Sequence, residues 1–207
     1  MPINNKTKVY ISVSKFPGNT GALLHNTGYK IHKLNSVYIP FKCNSAKQLK
    51  KILQINKFSG ISVSMPFKST VLKYLNKTDK ASKKVKAVNT ILRNGKNLYG
   101  YNTDYIALKQ IIKNKKLKIK TATILGNGST SRTAYEVLKE LNIKKIYLFS
   151  RKNRKFKMWK LRKFDKILSW NHRHQIRSDL LVNSTPIGMI NKNILPIKLW
   201  RQKQFKY

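Results

Sequence analysis

Two short stretches carry residues whose types and spacing have chemical meaning. The first is Gly126 to Arg132, GNGSTSR, directly after the apolar run Thr121 to Leu125, TATIL. A glycine at 126 allows a tight turn, and a glycine at 128 lets backbone approach a pyrophosphate. A helix starting there offers free N–H groups and the positive end of its dipole to phosphate oxygens. Ser129 stands where a third glycine would follow. The plainer reading is a glycine turn that serves strand-to-helix geometry alone. The next apolar run ends in Ser150-Arg151-Lys152, with Arg154 and Lys155 close behind. NAD-binding folds place a carboxylate at that strand end to hold the ribose 2′-hydroxyl, whereas an arginine accommodates a 2′-phosphate. The sequence has no acid there, which favours NADP, with Arg151 as the cation at the strand end. The second stretch is Gly60 to Lys68, GISVSMPFK, a short alternating strand that runs into a proline and a lysine. Lys68 is either one more solvated charge or a residue that the turn exists to position.

The elements that must hold these residues are legible as pattern. Val9 to Val13, Ser36 to Phe41 and Gly60 to Ser64 read as strands. Gly21 to Leu34 and Ser45 to Asn56 read as helices, the latter with apolar positions near the 3.6-residue period. The order strand, helix, strand, helix, strand predicts a parallel α/β layer. Ser69 to Leu75 starts a further helix. Asn89 to Leu92 and Lys96 to Tyr101 form a hairpin around Asn94-Gly95, a strong turn signal. Then the pattern restarts. Asp104 to Lys113 is a connecting helix, Lys115 to Lys120 a basic linker, and Thr121 to Leu125 a buried strand. A helix follows to about Leu141, then strands at Lys145 to Ser150 and Leu180 to Asn183. This predicts a two-domain α/β protein: residues 1–103, a connection over 104–120, and a Rossmann-like domain over 121–207.

Composition narrows the class. With 207 residues and 41% hydrophobic content the chain can bury a core, and 10% aromatic residues argue against disorder. The formal net charge is +39, from 45 basic and 6 acidic residues. A nucleic-acid binder gathers its cations into a patch. Here they are spread along the chain, densest over Lys144 to Lys166 and interleaved there with apolar residues. Lys, Asn and Ile share AT-rich codons, so drift in an AT-rich, reduced genome accounts for the charge, and nucleic acid is expected to bind non-specifically only. Self-repulsion must destabilise the compact state, because few acids can pair. The single cysteine, Cys43, excludes an intrachain disulfide. The four histidines show no metal-site spacing. His172 and His174, two apart, would share one face of a strand, and no metal is expected. There is no secretory start and no apolar run of about 18 residues, so a soluble cytoplasmic protein is expected.

Five segments line up with one family. Ser62 to Lys68 (SVSMPFK), Ala87 to Thr90 (AVNT), Gly100 to Asp104 (GYNTD), the Gly126 loop, and Val182 to Met189 (VNSTPIGM) occur in this order. The chain resembles the shikimate dehydrogenase family, which shows N-V-T-x-P-x-K, A-V-N-T, N-T-D, G-x-G-G-x-x-R, N-R-T and N-A-T-x-x-G in the same order. The resemblance covers almost the whole chain. It implies NADPH-dependent reduction of 3-dehydroshikimate to shikimate, in the route to chorismate and aromatic amino acids. It implies Lys68 and Asp104 as the catalytic pair, and Ser64, Lys68, Asn89 and Asp104 as substrate contacts. Cofactor contacts would come from Gly126, Asn127, Gly128, Ser129 and Thr130, from Ser150, Arg151 and Lys152, and from Thr185 beside the nicotinamide. Hydride transfer to a ketone leaves an oxyanion; a lysine ammonium can stabilise and protonate it, and a carboxylate can orient the lysine and bind substrate hydroxyls. On local pattern alone Asp104 is also an N-cap for the connecting helix.

The chain departs from the family pattern at several places. The family holds the substrate carboxylate with two serines of an S-x-S-P turn; counted back from His25, those places hold Asn19 and Gly21, and the proline place holds Ala22. Ser62, Ser129 and Ser150 replace an asparagine, a glycine and an asparagine. The family's later Y-D-x-x-Y and G-L-x-M-L-x-x-Q-A segments do not follow before Tyr207. The expectation is therefore an incomplete nucleotide domain with an uncovered edge, which a second copy or another subunit would complete. A degenerate, inactive relative is the first alternative, and a polyanion-binding protein that reuses the fold is the second.

Overall fold

The computed structural model describes residues 3–116, 118–152, 156, 159–188 and 195–197. The chain divides into two compact units, Met1–Thr103 and Asp104–Tyr207. The mixed α/β class read from the pattern is what the structure has.

In the first unit the strands are β1 (Lys8–Ser14), β2 (Ser36–Lys42), β3 (Phe58–Val63), β4 (Lys77–Thr78), β5 (Thr90–Asn94) and β6 (Asn97–Tyr101). The helices are α1 (Thr20–Ile31), α2 (Ala46–Gln54) and α3 (Lys80–Val85). One sheet runs in the order β2-β1-β3-β5-β6-β4. β1, β2 and β3 are parallel, as the alternation of strands and helices requires. β5 and β6 are the antiparallel hairpin, turning at Gly95, whose φ of +57° suits glycine. The core gathers Ile11, Val13, Leu49, Ile52, Leu53, Ile61, Val63, Phe67, Val71, Val88 and Ile91. Helix α2 supplies Leu49, Ile52 and Leu53 from one face, and Ser45 caps it by accepting from the Gln48 amide at 3.1 Å.

The helix read at Ser69 to Leu75 is there, as a short 3-10 helix over Thr70–Tyr74. Two elements escaped the pattern, the two-residue strand β4 and α3. The lysine-rich Lys80–Val85 is a helix, capped by Asp79 and closed by Lys86 in the left-handed region at φ 54°. Three lysines in six residues hide its apolar face, of which Ala81 and Val85 are buried.

The second unit holds α4 (Thr103–Asn114), β7 (Thr121–Leu125), α5 (Ser129–Glu140), β8 (Lys145–Ser150), β9 (Lys166–Ser169) and β10 (Leu180–Asn183). Its parallel sheet has the order β10-β7-β8-β9. β7 is buried from Ala122 to Leu125, and α5 covers the sheet with Ala134, Val137 and Leu138. Tyr105 donates to Glu140 and Lys109 pairs with it, which ties α4 to α5. Burial, and then the bond to Glu140, push the Tyr105 phenol above its usual range.

β9 was not expected, because its residues are mostly exposed and carry no clear alternation. Leu180–Asn183 is thus the fourth strand of this sheet in chain order, not the third. His172 and His174 lie in a 3-10 helix, Trp170–His174, not in a strand. With about three residues per turn, positions two apart face different directions. No group of metal-ligating side chains occurs among the described residues. Nor does any described helix have the length and apolarity to cross a membrane.

Candidate functional site

In the first unit a cleft of about 560 Å³ opens beside the carboxyl ends of the parallel strands, where ligands bind in open α/β sheets. β1 contributes Ser12 and Ser14, and β3 contributes Ser62 and, just beyond it, Ser64. Ser12 and Ser62 are register partners on neighbouring strands. Their apolar neighbours Ile11, Val13, Ile61 and Val63 point into the core, so the alternation of each strand sends its serines to the other face.

Lys68 lines this cleft. The chain leaves β3 through a turn containing a cis Met65–Pro66 bond. Ser64 N–H donates to the Val13 carbonyl at 2.9 Å, and Phe67 N–H donates back to the Ser64 carbonyl at 2.9 Å. Phe67 is buried in the core, and the Lys68 carbonyl accepts from Val88 N–H at 2.8 Å. The lysine therefore projects from a backbone fixed on both sides, and its side chain is half-buried.

Asn89 and Thr103 form the far wall. The Asn89 amide donates to the Thr103 hydroxyl at 2.8 Å, and its carbonyl oxygen accepts from Thr103 N–H at 2.9 Å. Asn102 is buried and donates to the Ala87 carbonyl at 3.0 Å. The AVNT and GYNTD segments are thus stitched together across β5 and β6. Gly100 has to be glycine: a Cβ there would lie 2.4 Å from a Leu75 methyl and 2.8 Å from one of Val88. Asn89 lines the cleft, and its side chain braces the wall. Asp104 lies in the first turn of α4, one residue inside the helix rather than at its cap, where its charge still complements the dipole.

In the second unit three segments converge on one glycine. Gly126 has φ +109° and donates to the Phe149 carbonyl at 2.8 Å. A Cβ on it would lie 2.9 Å from the Ser131 hydroxyl and 3.1 Å from the Ser184 carbonyl. Ser131 and Ser184 share a hydroxyl hydrogen bond of 2.8 Å. Asn127 donates to the Lys152 carbonyl at 2.7 Å, pinning the loop to the end of β8. Gly128 differs: it caps α5, and nothing lies within 4 Å of where its Cβ would be. Among the described residues no side chain makes a cap hydrogen bond to the first turn of α5. Ser129 and Thr130 begin the helix there, and Arg151 and Lys152 are exposed beside the loop. These residues fit a pyrophosphate with a 2′-phosphate nearby.

Some expected cofactor contacts are already engaged. Asn127 holds the loop, and the buried Ser150 accepts from Lys152 N–H at 3.2 Å. The Thr185 hydroxyl donates to Asn183 at 2.7 Å and accepts from Ile187 N–H at 3.2 Å. Arg132 closes the loop motif with a buried Nε that has no hydrogen-bond partner among the described residues, and burial holds its guanidinium below the usual range. Arg154, Lys155 and Met189 lie outside the described residues.

Comparison with known proteins gives the same answer from another direction. Residues 19–91 match the model of the shikimate dehydrogenase substrate binding domain. A protein of Clostridium beijerinckii named shikimate dehydrogenase (NADP(+)) is 36% identical over 174 residues, covering 82% of this chain and 64% of that protein. One of Clostridium botulinum with the same name is 35% identical over 187 residues, covering 87% of this chain and 72% of that protein. The chain belongs to the shikimate dehydrogenase family. Its architecture matches the crystal structure of shikimate dehydrogenase 1 from Peptoclostridium difficile with a TM-score of 0.83, at 26% identity over 96% of this chain and 74% of that one. The chain therefore spans roughly two thirds to three quarters of the length of these relatives.

Family reasoning from the sequence did not single out Ser12, Ser14, His25, Tyr38, Thr90 or Thr103, all of which line the cleft. The alternating ISVS of β1 was a readable signal for the two serines. Nothing local marked Tyr38, which comes from an edge strand. Where the family has its two carboxylate-binding serines, Asn19 makes no side-chain cap bond and Gly21 has no side chain.

Proposed function

We propose that this chain reduces 3-dehydroshikimate to shikimate with NADPH, in the cytoplasm, on the route to chorismate and the aromatic amino acids. The first unit is the substrate half, and the second is the nucleotide half. The observation that carries this is the hydroxyl-rich cleft with Lys68 on a backbone braced at Ser64, Phe67 and Val88. A polyhydroxylated acid needs many hydroxyl partners and one proton source, and this cleft offers both. The named function of the relatives supports the same reading.

When bound, NADPH supplies a hydride to the substrate carbonyl. The chain's own work is to bind, orient and protonate. Lys68 Nζ carries the proton that the nascent alkoxide oxygen takes, and its charge stabilises that oxygen beforehand. Asp104 serves as the carboxylate that orients the lysine. Ser64 and Asn89 hold substrate hydroxyls. Gly126 to Thr130 receive the pyrophosphate through backbone amides, Arg151 receives the 2′-phosphate, and Thr185 flanks the nicotinamide side.

The test is turnover by the purified chain, followed through nucleotide absorbance, with Lys68→Ala and Asp104→Asn alongside. Activity removed by both substitutions supports the reading. Activity untouched by both removes the mechanism. NADPH binding without any turnover favours the inactive relative, a reading that the absent side chain at Gly21 supports.

A further inference from the structure

We propose that the Tyr38 hydroxyl, together with the first-turn amides of α1, anchors the substrate carboxylate in this chain. The assignment rests on the reading of a shikimate-type acid as substrate. It names a donor that the sequence motifs do not.

Four observations converge on it. Tyr38 lines the cleft although it is only 7% exposed, and its hydroxyl makes no hydrogen bond among the described residues. The ring is buried, while the hydroxyl is not among the enclosed unpaired atoms and so is open to the cleft, where a ligand can supply the partner that a largely buried phenol ordinarily has. Next, the space beside that hydroxyl exists because position 21 is glycine. A Cβ on Gly21 would stand 3.5 Å from the Tyr38 oxygen, so the hydroxyl sits beside the first turn of α1. Third, that turn is uncapped: Asn19 has helical backbone and makes no side-chain cap bond. Its amides and dipole end favour an anion. Last, the tyrosine is held in place. Asn26 of α1 donates to the Tyr38 carbonyl at 3.0 Å and accepts from its N–H at 2.8 Å. The His25 ring stacks on it at 4.5 Å. The edge strand is thereby locked to the helix, with the phenol and the helix terminus at one end of the cleft. A carboxylate there would accept from the phenol and from the backbone, in a cleft that also holds Lys68 and His25.

The experiment is calorimetric titration of the full chain, in the presence of NADP+, with shikimate and with its methyl ester. The proteins are wild type, Tyr38→Phe, and Tyr38→Phe combined with Gly21→Ser. Phenylalanine keeps the ring stack and removes one charge-assisted donor. The expected loss of affinity for the acid is roughly tenfold to a hundredfold. The ester should lose much less. The Gly21→Ser change places a hydroxyl in the same space and should recover a large part of the loss, because a Cβ there makes ordinary contact with the tyrosine position. Equal affinity of wild type and Tyr38→Phe for the acid would overturn the assignment. So would equal losses for acid and ester, which indicate a merely structural role. A wild-type chain that binds neither compound would overturn the substrate reading itself, and this assignment with it.

Discussion

The two units build their candidate sites from different materials. In the first unit the cleft is made of side chains: serines from alternating strands, a lysine, an asparagine and a tyrosine. In the second unit the loop is made of backbone: Gly126 at φ +109°, Gly128 under open space, and the amides of α5. The difference shows where sequence change is tolerated. Ser129 stands in place of the usual third glycine, yet the helix still begins there and its amides are still presented. In the first unit Asn19 and Gly21 stand where the family pattern has serines, so two hydroxyls are missing from that end of the cleft. A backbone site survives drift at most of its positions; a side-chain site keeps function only if another side chain takes over.

That contrast can be broken in order of effect. Lys68→Ala should cut turnover by between about a hundredfold and ten-thousandfold, the range for a lost general acid, while the cofactor still binds; steady-state kinetics and NADPH titration check both halves. Gly126→Ala should destabilise the fold by about 1–3 kcal/mol, since alanine is strained at that φ and meets Ser184 backbone. Urea denaturation measures it. Gly128→Ala, by contrast, should change stability by less than about 0.5 kcal/mol and weaken NADPH alone. Equal effects of the two glycine changes would erase the distinction between a glycine required by the fold and one kept open for a ligand.

Arg151→Ala should raise the KM for NADPH roughly tenfold or more, as for a lost hydrogen bond to a charged group, and leave that for NADH unchanged. A parallel rise for both nucleotides would place the 2′-phosphate elsewhere. Ser45→Ala is the smallest of the set, at about 1 kcal/mol of stability with no change in KM, because the cap supports α2 and touches neither site.

The acids explain how so basic a chain folds. Asp79 caps α3, and Asp179 accepts from the Lys120 and Thr121 amides. Asp165 binds Arg162, the Tyr135 hydroxyl and the Ile146 amide. Glu136 pairs with Lys139, and Glu140 holds Tyr105 and Lys109. Five of the six acids thus fasten backbone or helices, and Asp104 lies in the first turn of α4, where a negative charge complements the helix dipole.

Strong local signals were enough for most of the framework. The strands β1, β2, β3, β7 and β8, the helix α2, the Asn94-Gly95 hairpin and the glycine loop all follow from period, turn chemistry and caps. Elements with weak local signals were not legible: the lysine-masked α3, the exposed β9, and the 3-10 helix that carries His172 and His174.

What the sequence determined by itself was the class of fold, the family, and the residues worth testing, because motif order and periodicity are properties of the chain. What only the tertiary structure decided was company. It brought Ser12, Ser14, Tyr38 and Lys68 to one cleft from two strands and a turn, and it committed Asn127 and Ser150 to holding loops. Contacts between residues far apart in sequence depend on sheet order and register, and no local pattern encodes which neighbour a side chain will meet.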